Sequence, residues 1–485
     1  MNKRSLRRYC AGIVLLSVFT AGCGLKGEQL QQLEAGGVPG SGLDGGVGAA
    51  PVEGGDAAVD PGVAVDPVTG APAGGTTGGT SAGGTSGGTS GGTSGGTSGG
   101  TSGGTSGGTS GGTSGGTSGG TSGGTNTTAG NRTGITDDKI RIGIHAPLSG
   151  ASPVPQDEFE SGAKLYWKTH KVFGRTVEVE ILDDTYKPSG AVRVCQEMSR
   201  RDFLVIGGAG SDQIQACGRD RSLQRSKTPY LSAGVTENGL TGVSNYFAIS
   251  TSYKDQAKIL VNSAKAQGYL TGKWAVVLSE TPNFTDAKQA IEAELKKAGI
   301  EHQYFGIPKA GSDGDALDVS NKLRAYAAPT IYYLGQPTFY LKVVGQTQSA
   351  AYRPIWTGVG ISMGLNTIAN LACGATSNQY DGRFLSPYPG LDKAPKEFFD
   401  AGGKGDIELN LYGVSQLLEQ ALLKTGGNLT RENFIAGLGT ATLPGGIWPG
   451  VSFKGGNHFG GTKMWQLKSD CGSRTYKTVG SAPIS

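Results

Sequence analysis

Residues 1–133 are nearly one-third glycine, holding 42 of the chain's 86, and this stretch constrains the fold more than any other feature. From about Gly74 to Thr125 it repeats Gly-Gly-Thr-Ser with a period of four, after a mixture of Gly, Ala, Pro, Val and Asp. It has almost no aromatic residues, so it cannot bury enough apolar surface to offset the entropy of ordering it. The period is also too short for a stacking repeat. Any fold must come from residues 134–485, a stretch of 352 rich in Val, Ile, Leu, Tyr and Trp. That length exceeds what one hydrophobic core usually serves, and two lobes are expected.

The first 23 residues fall into three zones: basic Lys3, Arg4, Arg7 and Arg8, an apolar run Cys10–Phe19, then Thr20-Ala21-Gly22 ahead of Cys23. That order is a secretion signal whose apolar part is too short for a permanent membrane helix. Small residues ending in cysteine resemble the lipobox of bacterial lipoproteins, which implies cleavage before Cys23 and acylation of its sulfur. Residues 1–22 are then a lipoprotein signal peptide and 23–133 a disordered Gly/Thr/Ser-rich tether. A flexible coil of about 110 residues spans roughly 55–60 Å r.m.s., enough to hold a body over residues 134–485 away from a membrane surface. The formal charge of +4 equals the four basic residues of the signal, with −5 on the tether and +5 on the remainder. No run of Lys or Arg forms a stripe, so composition offers no nucleic-acid-binding surface.

From Ile140 short apolar runs alternate with helical segments. Strands are expected over 140–146, 177–182, 203–207, 230–233 and 246–249, with helices over 159–171, 190–201 and 212–225. A second series follows, with helices over 255–267, 286–298, 316–325 and 338–348 and strands over 274–278, 303–307, 330–334 and 354–358. Repeated βαβ units predict parallel sheets covered on both faces in two Rossmann-like lobes, with ligand contacts at the carboxyl ends of the strands. Beyond residue 400, helices are expected over 408–423 and 431–438. The segments 451–453 and 463–467 suggest a closing pair of strands, with His458 in the glycine-rich turn between them.

Four cysteines remain after Cys10 and Cys23: Cys195, Cys217, Cys373 and Cys471. They allow three pairings. Cys195 and Cys217 fall on successive predicted helices of one lobe, which favours a local bridge and leaves Cys373 with Cys471. No close CxxC pairs indicate a zinc site, and no cofactor fingerprint is complete. Catalytic signatures are missing too: there is no HExxH, GxSxG or GxxxxGK[ST]. His145 ends the first strand without a placed acid or nucleophile and reads as a polar residue near a cleft rim. The chain therefore reads as a binder and not an enzyme. Gly207-Gly208-Ala209-Gly210-Ser211-Asp212 ends a strand and opens a helix, with Ser211 as the hydrogen-bonding candidate and Asp212 as a helix cap. Ser232–Thr236, Thr281–Thr285 and Gly335-Gln336-Pro337 are further strand ends.

The order of motifs resembles the type 1 periplasmic-binding-protein family, in particular the Leu/Ile/Val-type substrate-binding proteins of ABC transporters. It is carried by Ile140-Arg141-Ile142-Gly143-Ile144-His145-Ala146-Pro147-Leu148-Ser149-Gly150, Asp183-Asp184, Gly207–Ser211, Pro229–Thr236 and Tyr332-Tyr333-Leu334-Gly335. The resemblance implies two lobes joined by crossover strands, lobe 1 about 138–252 and lobe 2 about 253–375, each completed by part of the C-terminal region. It further implies solute capture in the interlobe cleft by Ser149, Ser211, Ala233, Gly234 and Thr236 from one lobe and Asn283, Phe284, Gln336 and Val359 from the other. Partners would be a small solute (amino acid, amide or related organic acid), ABC permease subunits and, through a lipid anchor, the outer face of a bacterial cell membrane. The alternative is a surface-tethered sensor built on the same domain. Thr357-Gly358-Val359-Gly360 departs from the amino-acid binders in having no acidic residue, and an ammonium group without a carboxylate is costly to desolvate.

Overall fold

The computed structural model describes residues 130–233, 236–348, 352–359 and 364–484. The expected signal peptide, Cys23 and the tether up to residue 129 lie outside the described residues; the last four residues of the expected tether, 130–133, are instead docked on the first lobe, where Arg431 N donates to Asn131 O at 2.9 Å and Asn131 N to Glu432 Oε2 at 2.9 Å. Strand β1 (Lys139–Ala146) is buried without a break from Ile142 onward, the pattern of a strand covered on both faces. It is followed by α1 (Gln156–Leu165), β2 (Lys171–Val172), β3 (Arg175–Asp183), α2 (Pro188–Ser199), β4 (Leu204–Gly207), α3 (Ser211–Gly218), α4 (Arg221–Arg225), β5 (Tyr230–Ser232) and β6 (Tyr246–Ala248). Their sheet runs β2-β3-β1-β4-β5-β6, parallel except for β2 at one edge. One helix is expected over 212–225, but two form, because the Asp220 carboxylate accepts the N–H groups of Ser222 and Leu223 and starts a new helix.

The second lobe contains α5 (Tyr253–Ala266), β7 (Lys273–Ser279), α6 (Thr285–Lys297), β8 (Glu301–Ile307), α7 (Asp313–Tyr326), β9 (Thr330–Leu334), α8 (Pro337–Gln348), β10 (Ile355–Val359), α9 (Leu365–Ala375) and β11 (Asp381–Ser386). The chain then returns to the first lobe for α10 (Lys396–Asp400), α11 (Asp406–Thr425), α12 (Arg431–Leu438) and the hairpin of β12 (Thr442–Gly445) with β13 (Pro449–Ser452). It ends in the second lobe with β14 (Lys463–Asp470) and β15 (Thr475–Pro483), giving the sheet order β15-β14-β11-β10-β9-β7-β8. The expected pairing of 451–453 with 463–467 does not form. Each segment finds a nearer partner across a tight turn, β13 on β12 and β14 on β15, and β14 also pairs antiparallel with β11. The segment around His458 is not a simple turn either. It runs beside β6, with Ala248 N donating to His458 O at 2.8 Å and Gly460 N donating to Ala248 O at 2.9 Å.

The chain thus passes between lobes around Ser250–Ser252, after Ser386, and at Gly461–Lys463. At the last crossing Gly461 N donates to Ser250 O at 3.1 Å, and a Cβ on Gly461 would stand 2.4 Å from the Ser250 carbonyl carbon. Only glycine lets the two segments lie this close. One core fills lobe 1, around Ile142, Phe203, Leu418 and Phe453, and another lobe 2, around Tyr340, Trp356, Phe384 and Tyr476. A third joins Tyr230 and Tyr246 to Tyr253, Trp274 and Met464 beside the crossings. Cys195 and Cys217 are brought to disulfide distance between α2 and α3, and Cys373 and Cys471 between α9 and the β14–β15 turn. Among the described residues, no helix is long and apolar enough to cross a membrane.

Two buried ionisable groups fasten the returning segment. Arg431, on α12, is fully buried and donates to the carbonyls of Phe203 (3.1 Å), Ser226 (3.1 Å), Ser199 (2.8 Å) and Asp202 (2.5 Å). Burial lowers its pKa to about 10, partly offset by Asp202, so it stays charged at neutral pH. Asp406, in the first turn of α11, reaches the opposite lobe and accepts from Asn366 N at the start of α9 at 3.4 Å. Burial pushes its carboxyl up to about 6, against the pull of backbone N–H groups.

Arg431→Ala takes the guanidinium from four carbonyls, of which Ser226 O keeps Asn131 Nδ2 at 3.2 Å, and is expected to cost roughly 3–5 kcal/mol in urea unfolding; a loss under about 1 kcal/mol would show that solvent satisfies the rest. For Asp406 the unfolded value is about 4. Its raised folded value stabilises the protein fully below about pH 4, and that contribution is lost as pH rises through 6. Asp406→Asn is therefore expected to raise the melting midpoint at pH 7.5 and to flatten the decline between pH 4 and 7. A lower midpoint at pH 7.5 would contradict this.

Candidate functional site

The carboxyl ends of both sheets face one cleft, and the turns that leave them set its walls. After β4, Gly210 takes φ +84°, a left-handed conformation that glycine adopts without strain, and caps α3 with no side chain of its own. This turn places Ser211, Asp212 and Gln213 on the cavity wall, with Pro147 and Ser152 following β1 and Tyr186 following β3. Opposite them stand Thr281 and Phe284 after β7, Lys309 after β8, Gln336 after β9 and Val359 at the end of β10. The cavity measures about 120 Å³. A single water needs roughly 10–15 Å³ by the same measure, so the space suits a small organic solute.

One wall is held rigidly from behind. Thr185 and Tyr186 both have positive φ, 55° and 57°. Their N–H groups donate to Asp183 Oδ1 at 2.8 Å and Asp184 Oδ1 at 3.0 Å. Asp184 Oδ2 in turn meets His145 Nδ1 at 2.9 Å, and His145 Nε2 meets the Tyr230 hydroxyl at 2.8 Å. All three side chains are fully buried, so His145 is not a rim residue. It anchors the turn that presents Tyr186, because a buried imidazole needs partners for both nitrogens. His145, Cys195 and Cys217 are the one grouping with metal-ligand chemistry among the described residues. The two sulfurs are engaged with each other and both ring nitrogens are bonded, which leaves no ligand set.

Across the cleft the lobes are tied by charge. Asp212 of α3 forms an ion pair with Lys309 of the other lobe and accepts a hydrogen bond from Asn283 Nδ2. Lys309 Nζ also lies 4.8 Å from the centre of the Tyr186 ring. The Tyr186 hydroxyl is pushed up to about 12 by burial and then by the Asp212 carboxylate, with the Gln336 amide acting in the opposite direction. A second tie joins Thr236 Oγ1 and Glu237 N to Asp286 Oδ2 at 2.8 and 2.9 Å. Ser211 Oγ bonds the Tyr253 hydroxyl at 2.6 Å, and Phe284 stands edge-on to Tyr253 at 5.6 Å. Several buried polar atoms on the wall have no hydrogen-bond partner of ordinary geometry: both amide atoms of Gln213, Gln336 Nε2 and Thr281 Oγ1.

The structure thus brings Ser211, Ala233, Phe284, Gln336 and Val359 together on the cavity wall. Ser149 lies elsewhere, exposed, donating from Oγ to Asp183 Oδ2 at 2.5 Å. Asn283 and Thr236 sit in the interlobe ties, and Gly234 lies outside the described residues. Asp212, read from sequence as a helix cap, is instead half of the interlobe ion pair. Gln213, Tyr186, Tyr253 and Lys309 escaped sequence reasoning. Lys309 alone had a signal, its place just after β8.

The periplasmic binding protein family model matches residues 139–474. No curated protein matches the chain. Among solved structures, a fatty acid ABC transporter substrate-binding protein from Thermomonospora curvata superposes with TM-score 0.61 at 19% identity, covering 73% of this chain and 95% of its own. A possible leucine/isoleucine/valine-binding protein from Rhodopirellula baltica SH 1 gives 0.58 at 16%, with 72% and 98% covered. An ABC transporter solute-binding protein from R. palustris in complex with benzoate gives 0.60 at 14%, with 72% and 97% covered. With the cleft and all of both lobes except β15 inside the matched span, the chain belongs to the periplasmic binding protein family.

Proposed function

We propose that this protein is the extracytoplasmic substrate-binding lipoprotein of an ABC importer, capturing a small solute by closure of its two lobes and delivering it to a permease. The carrying observation is the cavity between the lobes, sized for a small molecule and lined by buried polar groups that lack partners within the protein. Buried polar groups without a partner in the protein are ordinarily completed by water or by a ligand. The solved neighbours, described as substrate-binding proteins of ABC transporters, support the same reading. Their described ligands range from fatty acids to benzoates, and for this chain the solute class is an amino acid, amide or related organic acid.

In this reading Ser211, Ala233, Gly234, Phe284, Gln336 and Val359 contact the solute. Thr236 and Asn283 serve the closed state by joining the lobes. Residues 1–22 are the signal peptide, Cys23 the lipid-bearing residue and 23–129 the tether.

A solute present at 100 times its dissociation constant adds about 2.7 kcal/mol to stability. A broad metabolite panel is therefore expected to contain compounds that raise the melting midpoint of the full chain by several degrees. Ser211→Ala and Gln336→Ala should each shrink that shift while leaving the ligand-free midpoint within about 2 °C of wild type. A panel with no stabilising compound would count against solute capture. For the anchor, Cys23→Ser is expected to move the protein from the membrane fraction to the soluble extracytoplasmic fraction; retention in the membrane would remove the lipidation assignment.

A further inference from the structure

Gln213 is the least explained side chain on the cavity wall. It is fully buried, yet neither its Oε1 nor its Nε2 has a hydrogen-bond partner. A surface glutamine would satisfy both with water, and a core position would hold an apolar residue of the same shape. An amide buried on this wall with both atoms unpaired holds a donor and an acceptor side by side. The complementary group is one with an acceptor and a donor on the same carbon.

The charges of the cleft narrow the choice. Its carboxylate, Asp212, is neutralised by Lys309 and also accepts from Asn283. A solute ammonium would have to displace the protein's own. A solute carboxylate would find Lys309 already committed, and in front of Gln213 it has no proton to give Oε1. From the facing lobe, Thr281 Oγ1 supplies a hydroxyl without a partner, and Gln336 Nε2, which already faces the Tyr186 hydroxyl, a further donor. The rest of the lining is largely apolar: Pro147, Val154, Ala233, Phe284, Leu334 and Val359.

Resting on the solute-capture reading above, we propose that the cleft selects an uncharged solute carrying a primary carboxamide on a small apolar body, with Gln213 as the specificity-determining residue. The solute carbonyl accepts from Gln213 Nε2, and its N–H donates to Gln213 Oε1. Gln336 and Thr281 complete the amide from the other lobe, so only such a solute satisfies both walls at once.

The test is calorimetric titration of the full chain with matched pairs, benzamide against benzoate and butyramide against butyrate, with L-leucine as the amino-acid member. The amides are expected to bind at least tenfold more tightly than their acids and than leucine, since a mismatch leaves a buried polar atom unpaired. Gln213→Met should weaken amide binding at least tenfold while leaving the ligand-free melting midpoint unchanged or higher, because it removes an unpaired buried amide. Should that variant not fold, the amide-to-acid ratio in the wild type decides. Tighter binding of an acid, of leucine or of any compound without an adjacent donor and acceptor overturns the proposal while solute capture stands. Amide binding unaffected by Gln213→Met overturns it equally. If neither these compounds nor a broad metabolite panel binds, both readings fall.

Discussion

Everything about the cleft depends on the place where Gly461 lies against the Ser250 and Thr251 backbone. Two crossing segments approach most closely there through main chain, with Gly461 N hydrogen-bonded to Ser250 O, while Ser250 Oγ reaches Met464 Sδ at 3.5 Å. Side chains at this point would wedge the strands apart and fix the lobes at a wider angle. Because contact is made by backbone, the lobes are held at a short distance while small torsional changes in three segments can still change the angle between them. The tyrosine-rich core around Tyr230, Tyr246 and Tyr253 packs beside this joint, which is itself partly open to solvent at Gly461 and Thr462.

The two cleft walls are built on different principles. On the first lobe, Tyr186 is presented by two left-handed residues that persist only because Asp183, Asp184, His145 and Tyr230 support the turn from behind. That wall is preorganised, and little entropy is lost there when a solute binds. The contacts between walls are of another kind: Asp212 with Lys309 and Asn283, and Thr236 with Asp286. These can form only when the lobes are near each other. Charge in the cleft is thus engaged between the lobes.

Local periodicity made most of the fold legible. β9 spans the residues that alternation assigns to it, and β1, β7 and α12 fall within a residue or two of their sequence bounds. What escaped was non-local. Nothing in Lys463–Asp470 announces that it will insert beside β11, some eighty residues earlier, and the strand Asp381–Ser386 itself went unread. The site divides in the same way. Strand ends with glycine turns can be seen in sequence, so Ser211 and Gln336 were found. Whether Asn283 faces a solute or Asp212 depends on how closely the lobes approach, which no local pattern encodes. Gln213 was hidden for a related reason, since a glutamine in a helix's first turn is unremarkable until its burial is known. The resemblance supplied the two-lobed arrangement; alternation alone could not have assigned the C-terminal segments to it.

The route of the chain also sets a schedule for its synthesis. Lobe 1 lacks α11, α12 and the strip beside β6 until residues 406–461 exist, and lobe 2 lacks the strand beside β11 until Lys463–Asp470 has emerged. A nascent chain stopped just short of that point has every strand of the first sheet but lacks the strand beside β11 in the second. Both lobes are therefore completed by one late stretch of chain, and neither can reach its final packing until nearly the whole sequence has been made.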